Sequence, residues 1–236
     1  MPHSRTVGTA PQATGAQATA PGDGPLVLAS GSRYRAALLA EAGIEVEVDP
    51  PDVDERAFDV LLDRLDPDGL AVELARRKAL DVAPRHTGRT VVAADQVGVL
   101  ATSDGGVALL TKQPSVEGAV AQLLDMSGTT HRLVNGVVVV APGGTWHSGV
   151  DVQVVTMRRY SEDEARAYVE RFEPFDTSGS YRLEDGDVME LERGPGAALV
   201  ASVSGEDPSG VVGLPLPLLR RLLADAAASA VSPREP

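Results

Sequence analysis

The chain has 236 residues, enough for one large α/β domain or two small ones, and is 43% hydrophobic but only 3% aromatic, so aliphatic side chains and alanine must fill its core. It has no cysteine, which excludes disulfides, thiolate-held zinc and a catalytic thiol and fits a reducing cytoplasm. A formal net charge of −13 argues against a nucleic-acid polymer as partner. It leaves room for a small phosphorylated ligand, which a few basic residues and a divalent cation can neutralise. No run approaches the roughly 18 apolar residues of a membrane span, and the N-terminus lacks the apolar core of a signal peptide.

Met1 to Gly24 is rich in Ala, Thr, Gly, Pro and Gln and is predicted to be a disordered extension. The folded domain is expected from Pro25 to about residue 230, with a frayed tail over 231–236. Leu26 to Ala29 reads as a buried strand, Ser30-Gly31-Ser32 as a small-residue loop, and Arg33 to Ala42 as a helix that Gly43 can terminate. Strand, small loop and helix aim backbone N–H groups at an anion, and Arg33 and Arg35 add charge there. An ordinary strand-to-helix turn would show the same pattern.

Ile44 to Val48 alternates like a strand, Pro50-Pro51 breaks it, and Asp52 to Glu55 follows as an acidic loop. A helix is expected from about Leu70 to Ala83, preceded by Asp66-Pro67-Asp68. Thr90 to Ala94 reads as a buried strand with Asp95-Gln96 at its end. Val97–Leu100 and Val107–Leu110 flank a hairpin signal. Ser115 caps a helix to Met126, and His131–Val140 and Thr145–Met157 read as strands. Ser161 and Glu164 have capping-box spacing before a helix to about Arg171. Ala197–Val203 is a further strand, Gly205–Gly210 a turn-rich loop, and Leu216–Ala228 an amphipathic helix. Alternating strands and helices with hairpins between them imply a mixed α/β sheet covered by helices.

Three carboxylates stand out. Asp95 follows four apolar residues, where a strand end opens a ligand cleft and a carboxylate can hold Mg²⁺ or Mn²⁺ or orient a water. Glu55 and Glu184 are the others. Among basic groups, Arg35, Lys78 and Lys112 are candidates, with a surface helix lysine the default reading of Lys78 and a loop charge that of Lys112. The four histidines show no metal-ligand spacing, and a satisfied hydrogen-bonding role suits His131 better than catalysis. Neither G-x-S-x-G nor the P-loop pattern is present.

These pieces, in order, resemble the Maf family of nucleoside triphosphate pyrophosphatases over about Leu26 to Leu223. The matching motifs are LASGSRYRAALL, Asp52 to Glu55, A-x-x-K-A around Lys78, ADQV at Ala94–Val97, Lys112, SGTTH ending at His131, FDTSGSY ending at Tyr181, and VVGLPL from Val211. The resemblance implies a twisted mixed sheet with a central cleft, of the Maf and inosine triphosphatase kind. It implies metal-dependent hydrolysis of a nucleoside triphosphate to the monophosphate and pyrophosphate, a nucleotide-pool house-cleaning activity. Asp95 resembles the proton acceptor and a metal-associated carboxylate, and Glu55 the acidic residue that helps hold the Mg²⁺ or Mn²⁺. Ser32, Arg35, Lys78 and Lys112 resemble the groups that grip the triphosphate. Tyr34, Gln96 and Glu184 stand at specificity positions and resemble the 7-methyl-GTP branch.

The sequence departs from that pattern at Arg33, where the family has Pro, at Thr111 and Gln113, which flank Lys112 where it has Gly and Pro, and at Thr177 and Ser178. Two alternatives stay open: a dTTP/UTP pyrophosphatase of the same family, or a low-turnover nucleotide-binding regulator of cell division. The expected partner is a small-molecule nucleotide, in the cytoplasm, without nucleic-acid polymer or membrane; a homodimer is left open.

Overall fold

Val91–Ala101 forms one unbroken strand, β3, with neighbours on both edges, the strands Leu26–Leu28 and Val107–Leu110 on one and Thr130–Val140 on the other. The computed structural model describes Gly22 and residues 24–53, 65–182 and 199–231. In chain order the other elements are β1 (Leu26–Leu28), α1 (Arg33–Glu41), β2 (Val46–Val48), α2 (Pro67–Val82), β4 (Val107–Leu110), α3 (Val116–Met126), β5 (Thr130–Val140), β6 (Trp146–Met157), α4 (Glu162–Phe172), β7 (Val200–Ser204) and α5 (Leu216–Val231). The strands make one mixed sheet in the order β2-β1-β3-β5-β6-β7, with β4 added on β3. No helix among the described residues is long and apolar enough to cross a membrane.

The expected strand end at Asp95 is corrected. β5 pairs with β3 without a break from Val91↔Val140 to Leu100↔His131, so the backbone at Asp95 and Gln96 stays in the ladder opposite Gly136 and Asn135. A polar side chain costs a strand little when backbone pairing is complete and the side chain has its own partner. The helix expected from Leu70 begins earlier, at Pro67, because Asp66 Oδ1 accepts from Gly69 N at 2.8 Å and proline suits the first helical position. The other boundaries fall within a few residues of expectation. Gly43 has φ +71°, and Ser161 and Glu164 form the full capping box of α4.

Side chains alternate across β3. Val91 and Ala93 pack with Ala75, Ala79 and Val138 beneath α2, and Val97 and Val99 continue that face with Leu70 and Leu74. Val92 and Ala94 face the other way, toward Leu39, Leu219 and Leu223 of α1 and α5. A third cluster under α3 and α4 is built on Leu123, Met126, Tyr168 and Val169. α2 sits directly on the sheet because Gly136 lacks a side chain: a Cβ there would lie 2.3 Å from the backbone of Ala71. Gly136 is the residue paired with Asp95. The close seating thus brings α2, and Lys78 on it, down onto the α2 face at Asp95.

Candidate functional site

One edge of β3 is incomplete. β1 pairs with it only as far as Val92, β4 only from Gly98, and β5 occupies the opposite edge. The edge from Ala93 to Val97 therefore faces a gap between the ends of two neighbouring strands. A cleft of about 710 Å³ opens there, within the size range of small-ligand sites. Its walls include the Ser30–Arg35 turn, Pro50 and Pro51, Lys78, Asp95, Gln96 and Lys112. Two smaller cavities, of about 320 and 110 Å³, share Gln96 and Ser178 with it.

Lys78 is not the surface lysine its helix suggests. It is 5% exposed, and its Nζ lies 2.5 Å from Oδ1 of Asp95, itself 6% exposed. The pair sits on the α2 face of the sheet and forms part of the cleft wall. Two charges this dry persist because each neutralises the other.

Arg35 closes the exposed edge. From α1, its Nη1 donates to Ala94 O at 2.6 Å and to Ser30 Oγ at 3.3 Å, and its Nε donates to Gly213 O at 3.0 Å. It thereby satisfies a carbonyl that no strand reaches, and it ties the turn after β1 to the loop before α5. Ser32 is the N-cap of α1, its Oγ accepting from Arg35 N at 3.4 Å. Tyr34 is half-buried on the cleft wall beside Gln96. The Arg33 guanidinium lies over the Tyr34 ring, 4.8 Å from its centroid. Pro50 and Pro51 are held by Asp49, which takes two bonds from Arg85 and one from His86. The Arg85 and His86 contacts keep the Asp49 carboxyl well down, at about 2. Glu55 and Glu184 lie outside the described residues.

Residues 25–226 match the family model described as "Maf-like protein". The chain belongs to the Maf-like family. A protein of Nitrosococcus oceani named 7-methyl-GTP pyrophosphatase is 36% identical over 202 residues, covering 85% of this chain and 92% of that one. A Deinococcus radiodurans protein named dTTP/UTP pyrophosphatase is 37% identical over 205 residues, 87% and 94% of the two chains. A Nitrobacter winogradskyi protein named nucleoside triphosphate pyrophosphatase is 38% identical over 202 residues, 85% and 94%.

Several departures of this Maf-like chain meet at one buried side chain, Gln122 of α3. Its Oε1 accepts from Thr111 N at 3.0 Å and from Gln113 Nε2 at 3.3 Å. Its Nε2 donates to Thr111 O, Ser178 O and Ser180 Oγ at 3.1, 2.9 and 2.7 Å. Gln122 thus ties the loop carrying Lys112 to the Ser178 wall through backbone atoms of Thr111 and Ser178, and Gln113, which stands where the family pattern has proline, adds one side-chain bond to it. Lys112 itself is exposed on the cleft wall. Gln122, Asn135 and Asp151 were not singled out from the sequence. Their only signal in the sequence is a polar residue among the valines and leucines of its element.

His131 of the SGTTH motif stands behind the cleft. Its Nε2 is 2.8 Å from Tyr181 Oη, and Nδ1 has no hydrogen-bond partner. Burial pushes its pKa down to about 4. The unfolded chain therefore binds a proton between pH about 6.5 and 4 that the folded chain refuses, and stability falls as pH falls through that window. The loss from this one group is about 3 kcal/mol at the low end. Urea unfolding at pH 7 and pH 4.5 should show His131→Gln losing less stability on acidification than the parent chain.

The described residues hold no cluster of three or more His, Cys, Asp or Glu side chains fit for a metal cage. A Mg²⁺-type ion needs no cage, because it keeps waters and takes one or two carboxylates together with substrate phosphates. Asp95, on the wall of a cleft carrying several cationic side chains, suits that mode.

Proposed function

We propose that this chain is a nucleoside triphosphate pyrophosphatase, releasing the nucleoside monophosphate and pyrophosphate. The observation that carries the reading is the buried Lys78–Asp95 pair on the wall of a cleft also lined by Arg35 and Lys112. Phosphate oxygens compete with Asp95 for the Lys78 ammonium, so triphosphate binding frees the carboxylate where a water can be deprotonated. The water oxygen bonds to the α-phosphorus, the bond from that phosphorus to the bridging oxygen breaks, and the water proton passes to Asp95. Negative charge develops on the bridging and equatorial oxygens, where Lys78 and Lys112 stabilise it. Asp95, with Glu55 as its expected second carboxylate, would hold a divalent cation, which would supply further charge neutralisation.

For the base we propose a guanine of the 7-methyl-GTP kind, supported by Tyr34 and Gln96 sharing one cavity. A relative named for dTTP and UTP is equally similar, so the pyrimidine nucleotides are the competing substrates. Arg33 already occupies one face of Tyr34, so a cationic base must take the other face or displace the guanidinium. Tyr34→Ala should lower kcat/KM for 7-methyl-GTP more than for GTP, by a factor of roughly 2–30. Equal losses on both nucleotides would remove the cation–π contact.

The direct test is pyrophosphate release over a nucleotide panel with Mg²⁺ and Mn²⁺. Turnover of at least one nucleotide to monophosphate and pyrophosphate is expected. Tight nucleotide binding without release would favour the regulator, and a preference for UTP or dTTP would reject the guanine assignment alone.

A further inference from the structure

Gln96, Asn135 and Asp151 lie side by side across three strands: Gln96 pairs with Asn135, and Asn135 with Asp151. Asn135 is fully buried and Asp151 is 7% exposed. The acceptors fix the direction of every bond in this row. Asn135 Nδ2 reaches Asp151 Oδ2 at 3.1 Å and Gly210 O at 2.8 Å. A backbone carbonyl cannot donate, so the amino group of Asn135 must lie on that side and its Oδ1 on the other. That Oδ1 accepts from Gln96 Nε2 at 3.0 Å, and the same Nε2 faces Gly210 O and Val211 O, each at 3.1 Å. Turning the Gln96 amide over would set its oxygen against three oxygens. Gly210 is part of the arrangement, because a Cβ there would lie 2.3 Å from Asp151 Oδ2 and push the carbonyl off the row.

Gln96 Oε1 is what remains. It takes no hydrogen bond from any described residue, and Gln96 lines all three cavities of the cleft. We infer that Asn135, itself oriented by Asp151, is a positioning residue that holds Gln96 as a hydrogen-bond acceptor toward the base. The cleft then selects bases whose ring nitrogen carries a proton beside a carbonyl, the lactams of guanine, hypoxanthine, uracil and thymine. A base with a bare ring nitrogen there sets lone pair against lone pair. The inference rests on the nucleotide reading above and narrows its substrate class, and the lactam N–H is common to guanine and the competing pyrimidines.

Binding of monophosphates by calorimetry tests it without turnover. GMP is compared with 2-aminopurine ribonucleotide, and UMP with 2-pyrimidinone ribonucleotide; each comparator has a bare ring nitrogen and no added atom. The parent chain should bind the lactam of the pair it accepts about tenfold tighter, the scale of one hydrogen bond. In Asn135→Leu the preference should fall to about twofold or less, with tripolyphosphate affinity unchanged, a split that a general loss of structure would not give. Asn135→Ser, too short to reach Gln96 but less disruptive, should behave alike, and so should Gln96→Met, which leaves the Asn135–Asp151 bond in place. No lactam preference in the parent chain, or a full preference in any of these folded variants, would overturn the inference. Lactam preference without pyrophosphate release would sink the enzyme reading and leave this one standing; release without preference would do the reverse.

Discussion

Asp95→Asn should lower kcat by a factor of about a hundred or more, the scale of a lost general base. The amide keeps the shape of the carboxylate but cannot take a proton from water. Stability should suffer as well, because Asp95 is the counter-ion of a lysine only 5% exposed. The side chain of asparagine can still accept a hydrogen bond from Lys78, which limits that loss. Activity is therefore to be measured well below the melting temperature of the variant. Normal turnover in a folded Asp95→Asn protein would mean that another group activates the water.

Lys78→Met should destabilise the fold by about 3–5 kcal/mol, because it strands a buried carboxylate without its cation. Methionine fills most of the lysine volume, so the loss reports charge and not a cavity. Adding Asp95→Asn to Lys78→Met should recover much of it, since the double variant leaves no buried charge at this spot. Urea unfolding of the two single variants and the double variant gives the coupling directly. Additive losses would mean that the 2.5 Å pair contributes no coupling of its own. Activity should stay low in the double variant, since the proposed reaction uses both groups at the phosphates.

The elements of this fold were legible because their signals are local. Ser115 and Ser161 mark helix starts, Gly43 marks a helix end, and the β3–β4 hairpin follows from its turn residues. The unbroken run of β3 was not legible, because Asp95 and Gln96 look like a strand end until β5 is seen pairing beyond them. What opens the cleft is the shortness of the neighbours β1 and β4, a property of pairing and not of the residues at the gap. The family motifs pointed to Asp95, Lys78, Arg35, Lys112, Tyr34 and Gln96, and all six line one cleft. Motif alone did not reveal that Lys78 is buried against Asp95, or that Arg35 donates to Ala94 O and Gly213 O, since these partners lie 17 to 178 residues away. Gln122, Asn135 and Asp151 were missed for the same reason: each owes its place to contacts made across the sheet or between loops.

The central claim is that water attacks the α-phosphorus in the cleft over the open edge of β3. Hydrolysis of the preferred nucleoside triphosphate in ¹⁸O-labelled water, with both products weighed by mass spectrometry, tests it most directly. One labelled oxygen should appear in the nucleoside monophosphate and none in the pyrophosphate. Label in the pyrophosphate, or release of single phosphates in its place, would contradict the account.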